Sequence, residues 1–149
     1  MGERYGQRPP LLDGAVSAVE RIGSRWPLGL ASSSSRGLID LVLRAAGIER
    51  WFKATVSTEG VPRGKPAPDV YLEVARRLGV DPGGCVAVED SSNGVRSAAA
   101  AGMRVIAIPT ERYPLDDDAA AAAALTLHSL EELTVDAVEA VGRAARHGS

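Results

Sequence analysis

Apolar residues in this chain occur in short β-branched runs, and each run is followed by a polar turn and then by apolar positions at helical spacing. The clearest example is the segment 85–102, CVAVEDSSNGVRSAAAAG. Its run at 86–88 predicts a short strand that is covered on both faces, as in a parallel sheet. Residues 91–93 offer an N-cap, and the apolar stripe after them predicts a helix. The segment therefore predicts a strand, a turn and a helix in direct succession.

The same alternation recurs along the chain and predicts an α/β fold. Strands are predicted at 28–31, 54–57, 104–108 and 125–127, and helices after Asp13, after Ser35, from Lys65 to Asp69 onward and over 129–141. Residues 1–10 show neither helical nor strand periodicity and are interpreted as a loop or a disordered end. We expect one domain over 1–149, a parallel sheet with flanking helices.

Composition excludes some functions. The net charge is −2 and both signs are interspersed, so that neither nucleic acid nor a membrane surface is expected as a partner. The single cysteine, Cys85, is interpreted as a small buried hydrophobic residue rather than a reactive thiol. No signal-peptide pattern stands at the start, and a cytoplasmic location is expected.

Two adjacent carboxylates, Glu89 and Asp90, follow the predicted strand at 86–88. Ligands of open α/β sheets bind at the carboxyl ends of the strands, where this pair is expected. Neighbouring carboxylates repel each other, and a hard cation such as Mg²⁺ would hold both through oxygen. The alternative is an acidic turn that is simply solvated.

A possible anion site arises from two other segments. Four serines at 32–35 follow the first predicted strand and lead into a helix, where free N–H groups and the helix dipole favour an anion. Lys65 precedes another predicted helix, where a cation is unfavourable unless an anion is bound nearby. The alternatives are serines that only cap the helix and a lysine that is only solvated.

Three segments taken together resemble the haloacid dehalogenase superfamily, in particular its β-phosphoglucomutase-like and sugar-phosphatase-like members. These segments are LGLASSSSRG, RGKPAPDVYLEVARRLGV and GCVAVEDSSNGVRSAAAAGM, and the resemblance covers about residues 9–133. It implies a Rossmann-like core and phosphatase or phosphomutase activity on a small phosphorylated metabolite of the sugar-phosphate type.

The resemblance also implies roles for individual residues. Ser32, with Ser33 beside it, would bind the transferring phosphoryl group, and Lys65 would neutralise the nucleophile and the phosphate. Glu89 and Asp90 would hold Mg²⁺ as the cofactor.

The family's nucleophile has no counterpart in the sequence. Members of the superfamily attack phosphorus with the first aspartate of a DxDGT stretch on the first strand, and no DxD stands before Ser32. Asp13 does not follow an apolar strand, and Asp116 and Asp118 come after the fifth strand in the wrong order, so that we reject all three. The family's cap domain, which is largely responsible for substrate choice, has no counterpart either.

Three interpretations follow from this pattern, in order of preference. The chain is a carboxyl-terminal portion of a hydrolase, a non-catalytic module that binds Mg²⁺ and phosphate, or a half-enzyme that another polypeptide completes. The superfamily places the first strand between the strand ending at Ser32 and the strand ending at Glu89. We therefore expect a gap there, in a chain that is marginally stable, prone to aggregation and without phosphatase turnover.

Overall fold

The computed structural model describes residues 14–147, with side chains over 14–143. Seven of its elements carry the site: β1 Leu28–Ser32, α2 Arg36–Ala46, β2 Phe52–Ser57, α3 Asp69–Leu78, β3 Val86–Glu89, α4 Ser92–Ala100 and β4 Arg104–Ala107. The others are α1 Ala15–Gly23, α5 Asp117–Ala122, β5 Leu125–Thr126, α6 Val135–His147 and short 3₁₀ helices at Glu49–Trp51, Thr58–Gly60, Pro82–Gly84 and Leu130–Glu132.

The strands form two separate parallel sheets. One sheet pairs β1 with β2, and the other has the order β3, β4, β5. Every ladder within them is parallel, for example Ser32 beside Ser57 and Glu89 beside Ala107. The predicted α/β class is confirmed. Within the described residues no ladder joins β1 to β3, so that a gap lies where the sequence predicted one.

Helices α3 and α4 hold the two sheets together. One core cluster contains Val56 of β2, Val70 and Val74 of α3, Val95 of α4 and Val105 of β4, among others. This cluster continues from one sheet to the other, so that apolar packing rather than a strand ladder connects the two sheets in the described residues.

Two smaller clusters fix the elements around this core. Ile106, Leu133 and Val138 pack between β4 and α6, and Ile39, Leu43 and Ile48 pack beneath α2. Among the described helices, none is long and apolar enough to cross a membrane.

The strand at 86–88 differs from its prediction. Val88 is 40% exposed, Val86 is half-buried, and Cys85 lies before the strand at intermediate burial. The reason is that β3 borders the gap, so that one side of the strand has no neighbour. Burial still raises the pKa of the Cys85 thiol, consistent with an unreactive cysteine.

Several predicted boundaries also shift. The helix expected from Lys65 starts at Asp69, with Pro68 at its N-cap. The last helix starts at Val135, because a capping box between Ser129 and Glu132 closes a separate 3₁₀ turn first. The predictions for Asp13 and for residues 1–10 lie outside the described residues.

Candidate functional site

A cleft of about 540 Å³ opens at the carboxyl ends of β1 and β3, over the gap between the two sheets. Its polar lining comes from three separate parts of the chain: Ser32–Ser34, Lys65, and the group Glu89, Asp90, Ser91 and Asn93. Apolar side chains, among them Leu30, Val88 and Ile108, line the rest. The sites predicted from the sequence therefore share one cleft.

Hydrogen bonds fix the conformation of the serine turn. The N–H of Ser34 donates to Ser32 Oγ at 3.0 Å, and Ser57 Oγ of β2 donates to the carbonyl of Ser34 at 2.7 Å. Ser35 alone caps α2, by accepting from the N–H of Leu38 at 3.2 Å. Capping of α2 therefore uses Ser35, and the hydroxyl of Ser32 has a separate role within the turn. Ser33 remains exposed at the cleft.

Lys65 is not a solvated surface lysine. Its side chain is 11% exposed, and Nζ lies 3.2 Å from the carbonyl oxygen of Ala31 and 2.6 Å from Glu89 Oε2. Ala31 belongs to β1 and Glu89 to β3, so that this ammonium connects the two sheets across the gap. One positive charge thus stands at the centre of the cleft.

Glu89 is buried, and two donors share one of its oxygens. Its side chain is 7% exposed, and Oε2 accepts hydrogen bonds from Lys65 and from the hydroxyl of Tyr71. Burial, and then the charge of Glu89, raise the pKa of Tyr71, so that its hydroxyl stays protonated and donates. The solvated acidic turn is therefore wrong for Glu89, whereas Asp90 is exposed at the cleft.

Gly94 allows the carboxylate of Glu89 to take this position. It is buried in the first turn of α4, and a Cβ there would stand 2.8 Å from Glu89 Oε2 and closer still to Oε1 and Cδ. Any larger residue would displace Glu89. The sequence offered no sign of this, because Gly94 stands only in a helical pattern.

We expect Gly94→Ala to destabilise the chain by about 1–3 kcal/mol, because overpacking outweighs the better helix propensity of alanine. Gly37→Ala is the matched control, since a Cβ on this glycine in the first turn of α2 meets nothing within 4 Å. Urea unfolding measures both changes. Equal stability of the two variants would contradict the packing of Glu89 against Gly94.

The two carboxylates have the chemistry that a hard cation requires of its ligands. No hydrogen bond from the described residues reaches Glu89 Oε1, and Asp90 presents its carboxylate to the cleft. Both are oxygen ligands of the type that Mg²⁺ prefers. Within 14–143, no cluster of three or more His, Cys, Asp and Glu side chains could surround a metal.

The acidic run at 116–118 belongs to the structural framework. Arg96 of α4 binds Asp118 at 2.6 Å and Asp116 at 2.7 Å, and it holds the pKa of Asp118 below its usual range. Neither aspartate lines the cleft. Asp116 is the N-cap residue of α5, and the side chains of Asp116 and Asp118 are 65% and 66% exposed, as expected of a solvated helix start. Their rejection as nucleophiles agrees with this position.

The structure is that of a parallel α/β protein with a serine turn, a buried lysine and an acid pair in one cleft at the carboxyl ends of its strands. The sequence profile of the haloacid dehalogenase-like hydrolases matches residues 3–102, and the chain belongs to this family.

Curated and solved relatives agree with this assignment. The chain is 42% identical to hexitol phosphatase B of Escherichia coli K12 over 126 residues, which are 84% of the chain and 56% of that protein. Crystalline CbbY from Rhodobacter sphaeroides in complex with phosphate superposes with a TM-score of 0.77 at 29% identity, over 87% of this chain and 59% of that one. A family hydrolase from Deinococcus radiodurans, solved with bound phosphate and sodium, superposes with a TM-score of 0.71 at 33% identity, over 88% of this chain and 60% of that one.

These matches have two consequences. Solved β-phosphoglucomutases share the fold as well, so that the predicted place of the chain near the β-phosphoglucomutases and sugar phosphatases is confirmed. The chain spans little more than half the length of the relatives it matches.

Proposed function

We propose that this chain is the phosphate- and cation-binding part of a phosphatase or phosphomutase that acts on a small phosphorylated metabolite of the sugar-phosphate type. The observation that carries the proposal is the position of Lys65, whose Nζ stands between the end of β1 and Glu89 in a cleft that also contains the serine turn. The hexitol phosphatase and the phosphate complex of CbbY support the substrate class.

The phosphate side of the site consists of Ser32, Ser33 and Lys65. The turn after β1 leads into α2, whose dipole favours an anion, although the N–H groups of Arg36 and Leu38 already donate to Glu59 and to Ser35. Lys65 brings a buried positive charge to the same place and would stabilise negative charge on a phosphoryl group.

Glu89 and Asp90 form the cation side, and Mg²⁺ is the proposed ion. A bound Mg²⁺ would screen charge on the phosphate and orient it. The family hydrolase from Deinococcus radiodurans was solved with bound phosphate and sodium, which supports a protein that binds both an anion and a cation. This chain contributes the two carboxylates and the lysine that keeps one of them in place.

The nucleophile would come from a strand in the gap. Glu89 and Asp90 are the acidic residues that line the cleft within the described part of the chain, and both belong to the cation side. A parallel strand between β1 and β3 would pair with both sheets and end beside Lys65. Another segment or another polypeptide would supply it; without it, the chain would bind phosphate but not transfer it.

The test of this site begins with its cation. We expect the wild-type chain to bind Mg²⁺ weakly in isothermal titration, because two carboxylates are fewer ligands than this ion usually finds in a tight site. Asp90→Asn removes the exposed negative charge of the acid pair and should abolish the heat of Mg²⁺ binding. Asp136→Asn, in the first turn of α6, is the control that removes an acidic charge outside the cleft.

Tight Mg²⁺ binding that Asp90→Asn leaves unchanged would contradict the assignment of the acid pair. If Asp136→Asn weakens Mg²⁺ binding as much as Asp90→Asn does, general surface charge holds the ion and the acid pair does not.

A further inference from the structure

Tyr71 is a buried polar residue that contacts the cleft residue Glu89 from the core side, and the proposed chemistry gives it no role. It is the third residue of α3, it is 8% exposed, and its ring belongs to the core cluster that joins the two sheets. Among the described residues its hydroxyl bonds to Glu89 Oε2 alone. A buried hydroxyl costs free energy unless it is bonded, so that this hydrogen bond is a specific requirement of the site.

The two donors on Glu89 Oε2 differ in what they can fix. Lys65 carries a point charge on a long stem, and its ammonium also donates to the carbonyl of Ala31. The tyrosine ring is held by its neighbours in the core, so that its hydroxyl has one fixed position. Tyr71 therefore adds a second, rigid contact that further restricts the rotation of the Glu89 carboxylate.

The result is that the two oxygens of Glu89 are made unequal. Oε2 accepts from Lys65 and Tyr71, whereas Oε1 lies against Gly94 with no hydrogen bond from the described residues. One oxygen accepts two hydrogen bonds from the protein, and the other accepts none from the described residues. Partners that orient a metal-binding carboxylate in this way usually contribute to the affinity for the ion.

We propose that Tyr71 is a positioning residue of the cation site, which holds Glu89 Oε2 so that Oε1 is presented, together with Asp90, to a divalent cation. The inference rests on the proposed function, because it assumes that the acid pair binds a cation. It adds a residue that affects the affinity for the cation, through Glu89, and leaves the affinity for phosphate unchanged.

The variant Tyr71→Phe tests this role. We expect it to weaken Mg²⁺ binding by about tenfold, since the loss of an outer partner of a metal ligand commonly costs about 10–100-fold in affinity. Binding of inorganic phosphate should stay within about twofold of the wild type, because the serine turn and Lys65 are unchanged. A general loss of structure would instead lower the affinity for Mg²⁺ and for phosphate together.

Two control variants separate positioning from stability. Ile48→Val removes one methylene from a residue that is 2% exposed in the cluster beneath α2, away from the cleft, and its cost in stability is similar to that of a lost hydrogen bond. Tyr113→Phe makes the same chemical change on a tyrosine that is 67% exposed. Neither should change the affinity for Mg²⁺.

The test is isothermal titration of the wild type and the three variants with Mg²⁺, and separately with inorganic phosphate. A loss confined to Tyr71→Phe and to Mg²⁺ supports the inference. If the wild type binds Mg²⁺ through Asp90 and Tyr71→Phe binds it equally well, the positioning role fails while the proposed function stands. If the wild type binds no Mg²⁺ at all, the cation site of the proposed function fails, and the role of Tyr71 with it.

Discussion

The chain of 149 residues should not hydrolyse a small aryl phosphate in the presence of Mg²⁺, and it should begin to do so when a strand ending in Asp-X-Asp is supplied. The reason is that the acidic residues lining the cleft within the described part of the chain are Glu89 and Asp90, and both are assigned to the cation, so that no further carboxylate there is left to attack phosphorus. A strand that enters between β1 and β3 would place its first aspartate beside Lys65. Because a nucleophile accounts for a large part of such catalysis, we expect a gain of at least about 10³-fold over the chain alone.

A synthetic peptide with an apolar run before Asp-X-Asp-Gly-Thr is a direct way to supply the strand. The matched control is the same peptide with its first aspartate replaced by asparagine, which would fill the gap without supplying a nucleophile. It should raise the melting temperature as much as the active peptide and give no turnover. Equal turnover with both peptides, or turnover by the chain alone, would contradict the assignment of the missing nucleophile.

Lys65→Met should destabilise the chain by about 3–5 kcal/mol, which is the usual cost of removing one partner from a buried ion pair. The side chain of Lys65 is 11% exposed and that of Glu89 is 7% exposed, so that water cannot easily replace the lost partner. The tyrosine hydroxyl remains, but it carries no charge. Urea unfolding at neutral pH measures the loss, and phosphate binding should disappear with it.

Arg63→Ala is the control for Lys65→Met. It removes an ion pair to Asp69 from an arginine that is 70% exposed, and such pairs contribute less than about 1 kcal/mol. The double variant Lys65→Met with Glu89→Gln should recover part of the lost stability, because no buried charge is then left unpaired. A Lys65→Met chain as stable as the Arg63→Ala chain would show that the pair is not buried in solution.

The sequence predicted which residues line the cleft, because most of them stand at or directly after the ends of strands. Glu89 and Asp90 stand at the end of β3 and Ser32 at the end of β1, and parallel strands bring their carboxyl ends to one edge whatever their distance along the chain. The gap between the sheets was predictable for a related reason, since the family's strand order makes the absent strand a central one.

The sequence could not show how Glu89 is held. Tyr71 and Gly94 occupy ordinary core positions in helical patterns, and their importance comes from contacts with a residue on another element. Such contacts depend on how α3 and α4 pack on β3, which local periodicity does not record. For the same reason the exposure of Val88 was missed, because a short apolar run looks alike whether or not its strand has a neighbour on both sides.

The central claim is that the serine turn, Lys65 and the acid pair form one site for phosphate and a cation. The most direct measurement is a titration of the ¹⁵N-labelled chain with inorganic phosphate in the presence of Mg²⁺, followed by the chemical shifts of the backbone amides. The account predicts that the largest changes fall on residues 32–36, 65 and 89–94, and that Lys65→Met abolishes them. Changes spread over the surface, or changes that persist in Lys65→Met, would contradict it.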